Sequence, residues 1–297
     1  VSVEWLKGET DELLNLCRQY GAVISTSLDG PLYLHNHNRG KMDSYQRVVA
    51  GIAKAREELG EDRVSALMTT SEYSLGFPRE IIDAYRENGF HSIFIRALNP
   101  YGLAKDNADW TAYYDRFVEF YKQALEYIIE LNKSGEVFVE EFATLILRKI
   151  LTPFPIGFVD LQSPAGIING VIVYNYDGYV YASDESRMLA EFRDYTFRVG
   201  SVTDRYEDLF YGRKAQEISR LWATEYIAGC ADCAFQSICG ADPVRNYSTQ
   251  GDMYGFRPTS TFCRKHKAII EHIFGLLADR REEVLPIFKS WITGTRG

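Results

Sequence analysis

Four cysteines near the C-terminus are the residues of this chain whose type and spacing best suit chemistry. They follow the pattern C-x2-C-x5-C-x23-C and are Cys230, Cys233, Cys239 and Cys263, called here the four-cysteine site. Four thiolates brought together hold either a tetrahedral zinc ion or an iron–sulfur cluster. Structural zinc usually takes two short cysteine knuckles, and this pattern contains only one. The spacing therefore favours an iron–sulfur cluster and leaves zinc open.

The fifth cysteine, Cys17, lies far from the others in the chain. It belongs to an amphipathic helical pattern near the N-terminus. A lone cysteine in such a pattern behaves as a small apolar side chain. We therefore predict that Cys17 is buried and takes no part in metal binding.

The composition is that of an ordinary globular chain. Its 297 residues are 46% apolar and 25% charged, enough for one large domain or two medium ones. No apolar run approaches the roughly 20 residues that cross a bilayer, and a net charge of -8 disfavours a phosphate backbone. Neither a membrane nor nucleic acid is therefore an expected partner. Five cysteines are too few for a secreted disulfide framework of this length, which predicts a reducing, cytoplasmic location.

Helices and strands alternate in the first third of the chain. Helices are predicted at about 11–20, 44–59 and 78–88, and strands at about 22–27, 64–70 and 92–98. This alternation predicts parallel strands with right-handed crossovers, in an open α/β sheet or a barrel segment. Ligands of such folds bind at the carboxyl ends of the strands. Those ends are the polar, turn-rich segments 27–31, 69–71 and 98–102.

The rest of the chain carries longer helices and one predicted hairpin. Helices are predicted at about 110–132, 139–151, 185–192, 206–226 and 265–292, and hairpin strands at 167–176 and 179–183. One stripe of the first helix is large and apolar and is interpreted as core packing; its members are Tyr113, Phe117, Phe120, Tyr121, Leu125 and Ile128.

The chain opens on Val1 rather than Met, and three strands are too few to close a barrel. We therefore expect a processed, truncated or fragmentary chain whose partner half is missing.

Several segments together resemble the radical SAM enzymes that carry a C-terminal SPASM domain. The resemblance rests on ISTSLDGP at 24–31, on Leu34-His-Asn with Arg39, on FRVGSV at 197–202 and on the four-cysteine site. Three further segments most resemble the His-Xaa-Ser system radical SAM maturases: SEYSL at 71–75, NPYG at 99–102 and VYNYDG at 173–178. The resemblance spans about residues 22 to 270.

The resemblance implies an α/β fold, with the C-terminal part of a partial (β/α)6 radical SAM barrel followed by a SPASM-like auxiliary iron–sulfur domain of a β-hairpin and helices. Its expected parts are the last strands and helices of the barrel at 1–105, a helical linker at 106–152 and the auxiliary cluster domain at 153–297. The implied partners are a peptide or protein substrate and the missing N-terminal barrel half.

The resemblance also implies the chemistry. The complete enzyme would cleave S-adenosyl-L-methionine (SAM) and use the resulting radical on a ribosomally synthesised peptide. The four-cysteine site would hold one auxiliary [4Fe–4S] cluster. Ser25, Ser27 and Thr69 would bind SAM by hydrogen bonds, and Leu98 would contact its adenine.

Three polar residues have structural interpretations beside these roles. Asp184 matches an acid that deprotonates substrate in some relatives, and the alternative is an N-cap of the following helix. Asp29 is interpreted as shaping the turn after the first strand. His35, in a predicted loop, is interpreted as a loop-fixing or substrate-side residue.

The chain departs from the family pattern in two ways. The radical-generating CxxxCxxC motif is absent, so this chain alone is predicted to be inactive. Ser163, Ser183 and Pro243 stand where ligands of a second auxiliary cluster are expected, which predicts one cluster rather than two. The alternative is a non-catalytic peptide-binding module stabilised by an iron–sulfur cluster or zinc, and a third possibility is a plain zinc scaffold.

Overall fold

The computed structural model describes residues 10–101, 109–219 and 223–294. The chain divides into two compact units. Unit 1 comprises Val1–Leu98, Arg116–Thr144 and Leu276–Gly297, and unit 2 comprises Asn99–Asp115 and Leu145–Gly275. The predicted boundary after residue 105 lies outside the described residues, and the three-part division stays a prediction.

Helices and short parallel strands form unit 1. In chain order its elements are α1 Thr10–Tyr20, β1 Ile24–Ser27, α2 Leu32–Arg39, α3 Ser44–Leu59, β2 Val64–Leu67, α4 Pro78–Glu87, β3 Ser92–Ile93, α5 Trp110–Lys133, β4 Val139–Glu140, α6 Glu141–Leu151 and α12 Arg281–Thr293. The first turn of α5 and the second half of α6 belong to unit 2.

The strands of unit 1 run parallel, as the sequence predicts. β1 pairs with β2 from Ile24 opposite Val64 to Ser27 opposite Leu67. A bridge between Thr70 and Ala97 joins the chain that follows β2 to the chain that follows β3. β3 pairs in parallel with β4. The carboxyl ends of these strands therefore lie along one edge.

Buried and half-buried residues alternate along β1 and β2 and so distinguish the two faces of this sheet. Ile24 and Thr26 are buried on one face of β1, whereas Ser25 and Ser27 are half-buried on the other. β2 repeats the same pattern. Helix α3 contacts both strands and is buried along a helical stripe that includes Ile52. The serine face is thus the less covered one.

Two predictions in unit 1 need correction. The segment at 32–39 is helix α2, not a loop; its histidines and asparagines are weak helix formers, and the element is only about two turns long. The helix predicted at 139–151 starts two residues later than predicted, at Glu141, because Val139 and Glu140 form a fourth parallel strand, β4. The α5 stripe is fully buried, which confirms it as core.

An antiparallel sheet and short helices form unit 2. Its elements are β5 Val173–Tyr174, β6 Tyr179–Tyr181, α7 Asp184–Ala190, β7 Arg198–Ser201, α8 Tyr206–Tyr211, α9 Arg213–Ser219, α10 Pro243–Gln250 and most of α11 Thr261–Asp279. The strand order is β5-β6-β7, and β5 with β6 is the predicted hairpin. Its apolar core includes Val180, Phe197, Leu209, Ile218 and Val244.

Two long helices predicted in the C-terminal third are interrupted. The helix predicted at 206–226 ends at Gly212, whose ψ of 163° is extended and whose added Cβ would lie 2.1 Å from the Asp208 carbonyl oxygen. Residues 220–222 of that prediction lie outside the described residues. The helix predicted at 265–292 is two helices, α11 and α12, which meet at Arg280.

The described helices include none with the length and apolar character that a membrane crossing requires.

Candidate functional site

All four thiols of the four-cysteine site line a single cavity of about 30 Å³ in unit 2. Phe235, Phe262 and Ile270 form apolar parts of its wall. Two cationic residues, Arg257 and Lys267, line it as well. Each cysteine is half-buried. The structure therefore brings together the residues that the spacing singled out and surrounds them with apolar and positive groups.

Local backbone geometry places each cysteine. Gly229, with φ +78°, makes the left-handed turn that enters Cys230. The Cys233 N–H donates to the Cys230 carbonyl at 3.0 Å, and the Cys239 N–H donates to the Phe235 carbonyl at 2.8 Å. Cys263 is the third residue of α11. The positive end of a helix dipole favours a thiolate there.

Burial raises the pKa of three of these thiols. The pKa of Cys239 is raised to about 11, and the pKa values of Cys230 and Cys263 are raised by the same cause. The Arg257 guanidinium opposes the rise at all three, and Lys267 opposes it at Cys263. These thiols are therefore protonated near pH 7, and a metal that binds them must displace protons.

A single metal ion and a cluster require different spacings of four sulfurs. Zinc–sulfur bonds of about 2.3 Å hold tetrahedral thiolates about 3.8 Å apart. Within the described ranges, no three or more His, Cys, Asp or Glu side chains are arranged to hold a metal ion. The cavity that the four thiols share is compatible with either kind of four-thiolate site.

Alanine at Gly240 is expected to damage the four-cysteine site. Its Cβ would lie 2.3 Å from the Asp160 carbonyl oxygen and 2.7 Å from the Gln162 nitrogen, both backbone atoms that cannot yield cheaply. We expect a loss of about 1–3 kcal/mol of stability and a lower metal content, measured by urea unfolding and metal analysis. Gly275→Ala is the matched control, since Gly275 lies in α11 with nothing within 4 Å of the new Cβ. Equal behaviour of the two variants would contradict the argument.

The three residues that stand where ligands of a second cluster are expected have structural roles in unit 2. The Ser163 hydroxyl donates to Glu225 Oε2 at 2.6 Å and accepts from the Thr224 N–H at 2.9 Å. Ser183 is the N-cap of α7, and Pro243 is the first residue of α10. Hydrogen bonding, capping and helix initiation therefore account for all three positions, and the number of auxiliary clusters stays a prediction.

Of the four residues predicted to contact SAM, Ser27, Thr69 and Leu98 lie at the carboxyl edge of the parallel sheet in unit 1, whereas Ser25 is the second residue of β1. Ser25 and Ser27 lie on the half-buried face of β1. Thr69 follows β2, and its N–H donates to Asp29 Oδ1 at 3.2 Å. Leu98 follows the bridge that extends β3. The role of each residue stays a prediction.

A buried network fixes the turn after β1. Asp29 is 1% exposed, and Arg39 donates to its two oxygens at 2.6 and 2.7 Å. His35 Nδ1 accepts from the Asp29 N–H at 3.2 Å, and its Nε2 lies 3.2 Å from Ser44 Oγ. The predicted turn-shaping role of Asp29 is confirmed. Of the two roles considered for His35, these contacts support the loop-fixing one.

Asp184 is the first residue of α7 and lies at the surface of unit 2. Its side chain is 62% exposed and accepts from Arg187 Nε at 2.9 Å. The N-cap alternative for Asp184 is wrong, because Ser183 caps the helix by accepting from the Ser186 N–H at 3.2 Å. A role for Asp184 as a base stays a prediction.

The sequence reasoning missed the two cations of the cysteine cavity. Lys267 follows Cys263 by four residues on α11, a spacing that places it on the same helix face. That signal was available. Arg257 begins a short 3₁₀ turn, so no helical or strand periodicity points to it.

Sequence comparisons find distant relatives. No protein-family model matches the chain. An uncharacterized protein of Methanothermobacter thermautotrophicus is 32% identical over 139 residues, which are 46% of this chain and 49% of that protein. An uncharacterized Synechocystis protein is 22% identical over 272 residues, 89% of this chain and 66% of that protein. The chain thus spans between half and two thirds of these relatives.

Structure comparisons identify the fold. The structure of anSMEcpe with bound AdoMet superposes with a TM-score of 0.71 at 16% identity, over 95% of this chain and 72% of that one. anSMEcpe with bound AdoMet and the Kp18Cys peptide gives a TM-score of 0.68 at 17% identity, over 91% and 72%. anSMEcpe is a radical SAM/SPASM enzyme. The chain therefore shares the fold of radical SAM/SPASM enzyme structures over most of its length.

Proposed function

We propose that this chain is the C-terminal portion of a radical SAM/SPASM enzyme that modifies a ribosomally synthesised peptide or protein. The four-cysteine site holds one auxiliary [4Fe–4S] cluster, which supplies a one-electron carrier when bound. The complete enzyme cleaves SAM reductively and abstracts hydrogen from a substrate side chain. The observation that carries the proposal is the meeting of the four thiols around one cavity in a chain with this fold.

The chain's own residues take three roles in this proposal. Ser25, Ser27 and Thr69 hydrogen-bond SAM, and Leu98 packs against its adenine; Ser27, Thr69 and Leu98 lie at the carboxyl edge of the parallel sheet. Asp184 accepts the substrate proton; its exposed carboxylate is accessible to a peptide.

Cysteine at all four ligand positions restricts what the cluster can do. No iron is left open for a substrate atom, so electron transfer or structural bracing is favoured over direct coordination. The peptides bound in the anSMEcpe structures support a peptide as the substrate class. Membership of the His-Xaa-Ser system radical SAM maturases is the finer proposal, supported by the segments 71–75, 99–102 and 173–178.

A non-catalytic peptide-binding module is the alternative. None of the five cysteines belongs to a CxxxCxxC motif. The hairpin of unit 2 exposes three tyrosines, Tyr174, Tyr176 and Tyr179, on which a peptide can pack. In that case the metal, iron–sulfur or zinc, serves only to fold the binding surface.

Metal analysis of protein purified without oxygen tests the proposal. We expect about four irons and four sulfides per chain, the content of one [4Fe–4S] cluster, and no SAM cleavage by this chain alone under reducing conditions. One zinc without sulfide would favour a zinc-stabilised scaffold. SAM turnover by this chain alone would show that the chain itself holds the radical-generating cluster, which contradicts the proposal. Joining the chain to a segment that contains CxxxCxxC should restore turnover if the enzyme proposal holds.

A further inference from the structure

Arg257 is a buried cation in the wall of the cysteine cavity. It is 7% exposed and lines the cavity together with all four thiols. Its stem packs over Gly229, where an added Cβ would lie 3.5 Å from the Arg257 Cβ. Gly229 directly precedes Cys230. The arginine is therefore held against the loop that carries the first cysteine.

The guanidinium of Arg257 retains unused hydrogen-bonding capacity. One terminal nitrogen donates to the Tyr254 carbonyl at 3.4 Å. Its Nε finds no hydrogen-bond partner among the described residues, although the atom is buried. A buried donor without an acceptor costs about 1–3 kcal/mol. The Nε–H is therefore available to a negative group in this cavity, whose wall Arg257 shares with the four cysteines.

Lys267 provides an internal contrast. It lines the same cavity and carries the same charge. Its side chain is 55% exposed, and its Nζ lies 3.7 Å from Glu271 Oε1 one helical turn away. Solvent and the glutamate therefore screen this charge, whereas the charge of Arg257 acts at short range in a less polar setting.

We propose that Arg257 is a positioning residue that donates an N–H to the cysteine sulfurs and raises the reduction potential of the bound cluster. The inference rests on the proposed cluster and names the residue that tunes it. One-electron reduction adds a negative charge to the cluster and its thiolates. A buried guanidinium beside them stabilises that reduced state more than the oxidised one. Hydrogen bonds to sulfur, local charge and solvent exposure are the established determinants of such potentials.

Redox titration of the anaerobically reconstituted chain tests this inference. The wild-type chain, Arg257→Met, Arg257→Lys and Lys267→Met are titrated with dithionite, and the reduced cluster is followed by electron paramagnetic resonance. We expect Arg257→Met to disfavour reduction at least tenfold, equivalent to about 59 mV for one electron. Arg257→Lys keeps the charge but loses the Nε–H, and it should shift the reduction potential less than Arg257→Met does. Lys267→Met should change the equilibrium less than threefold.

The outcomes separate this inference from the proposed function. A wild-type chain without iron overturns both. If the wild-type chain holds its cluster and the reduction equilibrium changes less than threefold in both Arg257 variants, the tuning role is overturned. The cluster assignment then stays intact. If Arg257→Met fails to hold iron, Arg257→Lys decides alone: a lower potential supports the role, and an unchanged potential overturns it.

Discussion

Cys239→Ala should remove nearly all iron and sulfide from this protein, a loss of more than tenfold from about four irons per chain. The Cys239 thiol lies in the cavity that the other three cysteines share, and its backbone is tied to Phe235 and, through Gly240, to the segment at 160–162. Removing one of four ligands leaves an incomplete site. Since metal binding to such a site contributes folding free energy directly, the loop around it should also loosen.

Metal analysis and limited trypsin digestion measure the two effects of Cys239→Ala. New cleavage after Arg257 or Arg264 is expected in the variant, while helix α3 in unit 1 stays protected. Cys17→Ala is the matched control, since Cys17 is 7% exposed in α1 and lies in the other unit. Equal iron content in the two variants would show that the four cysteines do not form the cluster site.

Much of unit 1 followed from the sequence because local signals and tertiary packing agree there. Helix α3 was predicted with its observed bounds, Ser44–Leu59, since its apolar period is clear and Gly60 ends it. β1 and β2 were predicted as parallel strands from the alternation of helices and strands along the chain. The four-cysteine pattern identified its cavity directly, since few residue types can replace a thiolate ligand.

Other features depend on contacts that no local pattern encodes. Helix α2 is short and rich in weak helix formers, and the buried contacts of His35 and Leu34 hold it in place. The N-cap of α7 is Ser183, one residue before Asp184, because Ser183 forms a capping box with Ser186. Arg257 reaches the cysteine cavity from a loop, so its role became visible only in three dimensions.

Glu140 falls within the helix predicted at 139–151, and no sequence pattern marks it out from the other acids of the chain. In the structure it ends β4 and is fully buried. Its carboxyl group accepts hydrogen bonds from the Tyr121 hydroxyl at 2.5 Å, the Ile95 N–H at 3.1 Å and the Ala143 N–H. It thereby joins β3, β4, α5 and the start of α6.

Burial raises the pKa of Glu140 from its usual 4.5 to about 7, because the loss of water outweighs the hydrogen bonds that favour the charged form. The folded protein therefore binds this proton more tightly than the unfolded chain. The stability that results is complete below pH 4.5 and is lost as pH rises through 7. Relative to Glu140→Gln, which does not titrate, the wild-type protein should lose up to about 3 kcal/mol between pH 4 and 8. A parallel pH dependence of the two proteins would contradict this assignment.

Glu140→Ala should destabilise unit 1 by about 3–5 kcal/mol, the range for removing one partner from a buried polar network. The substitution leaves the hydroxyl of Tyr121 and the N–H of Ile95 buried without their acceptor and opens a cavity between β4 and α6. Anaerobic guanidinium unfolding followed by circular dichroism measures the loss. Glu130→Ala is the control, since that glutamate is 47% exposed and pairs with Arg79 at 2.9 Å, an interaction expected to contribute less than about 1 kcal/mol. Equal losses in the two variants would mean that the Glu140 carboxyl group does not hold the parallel strands to α6.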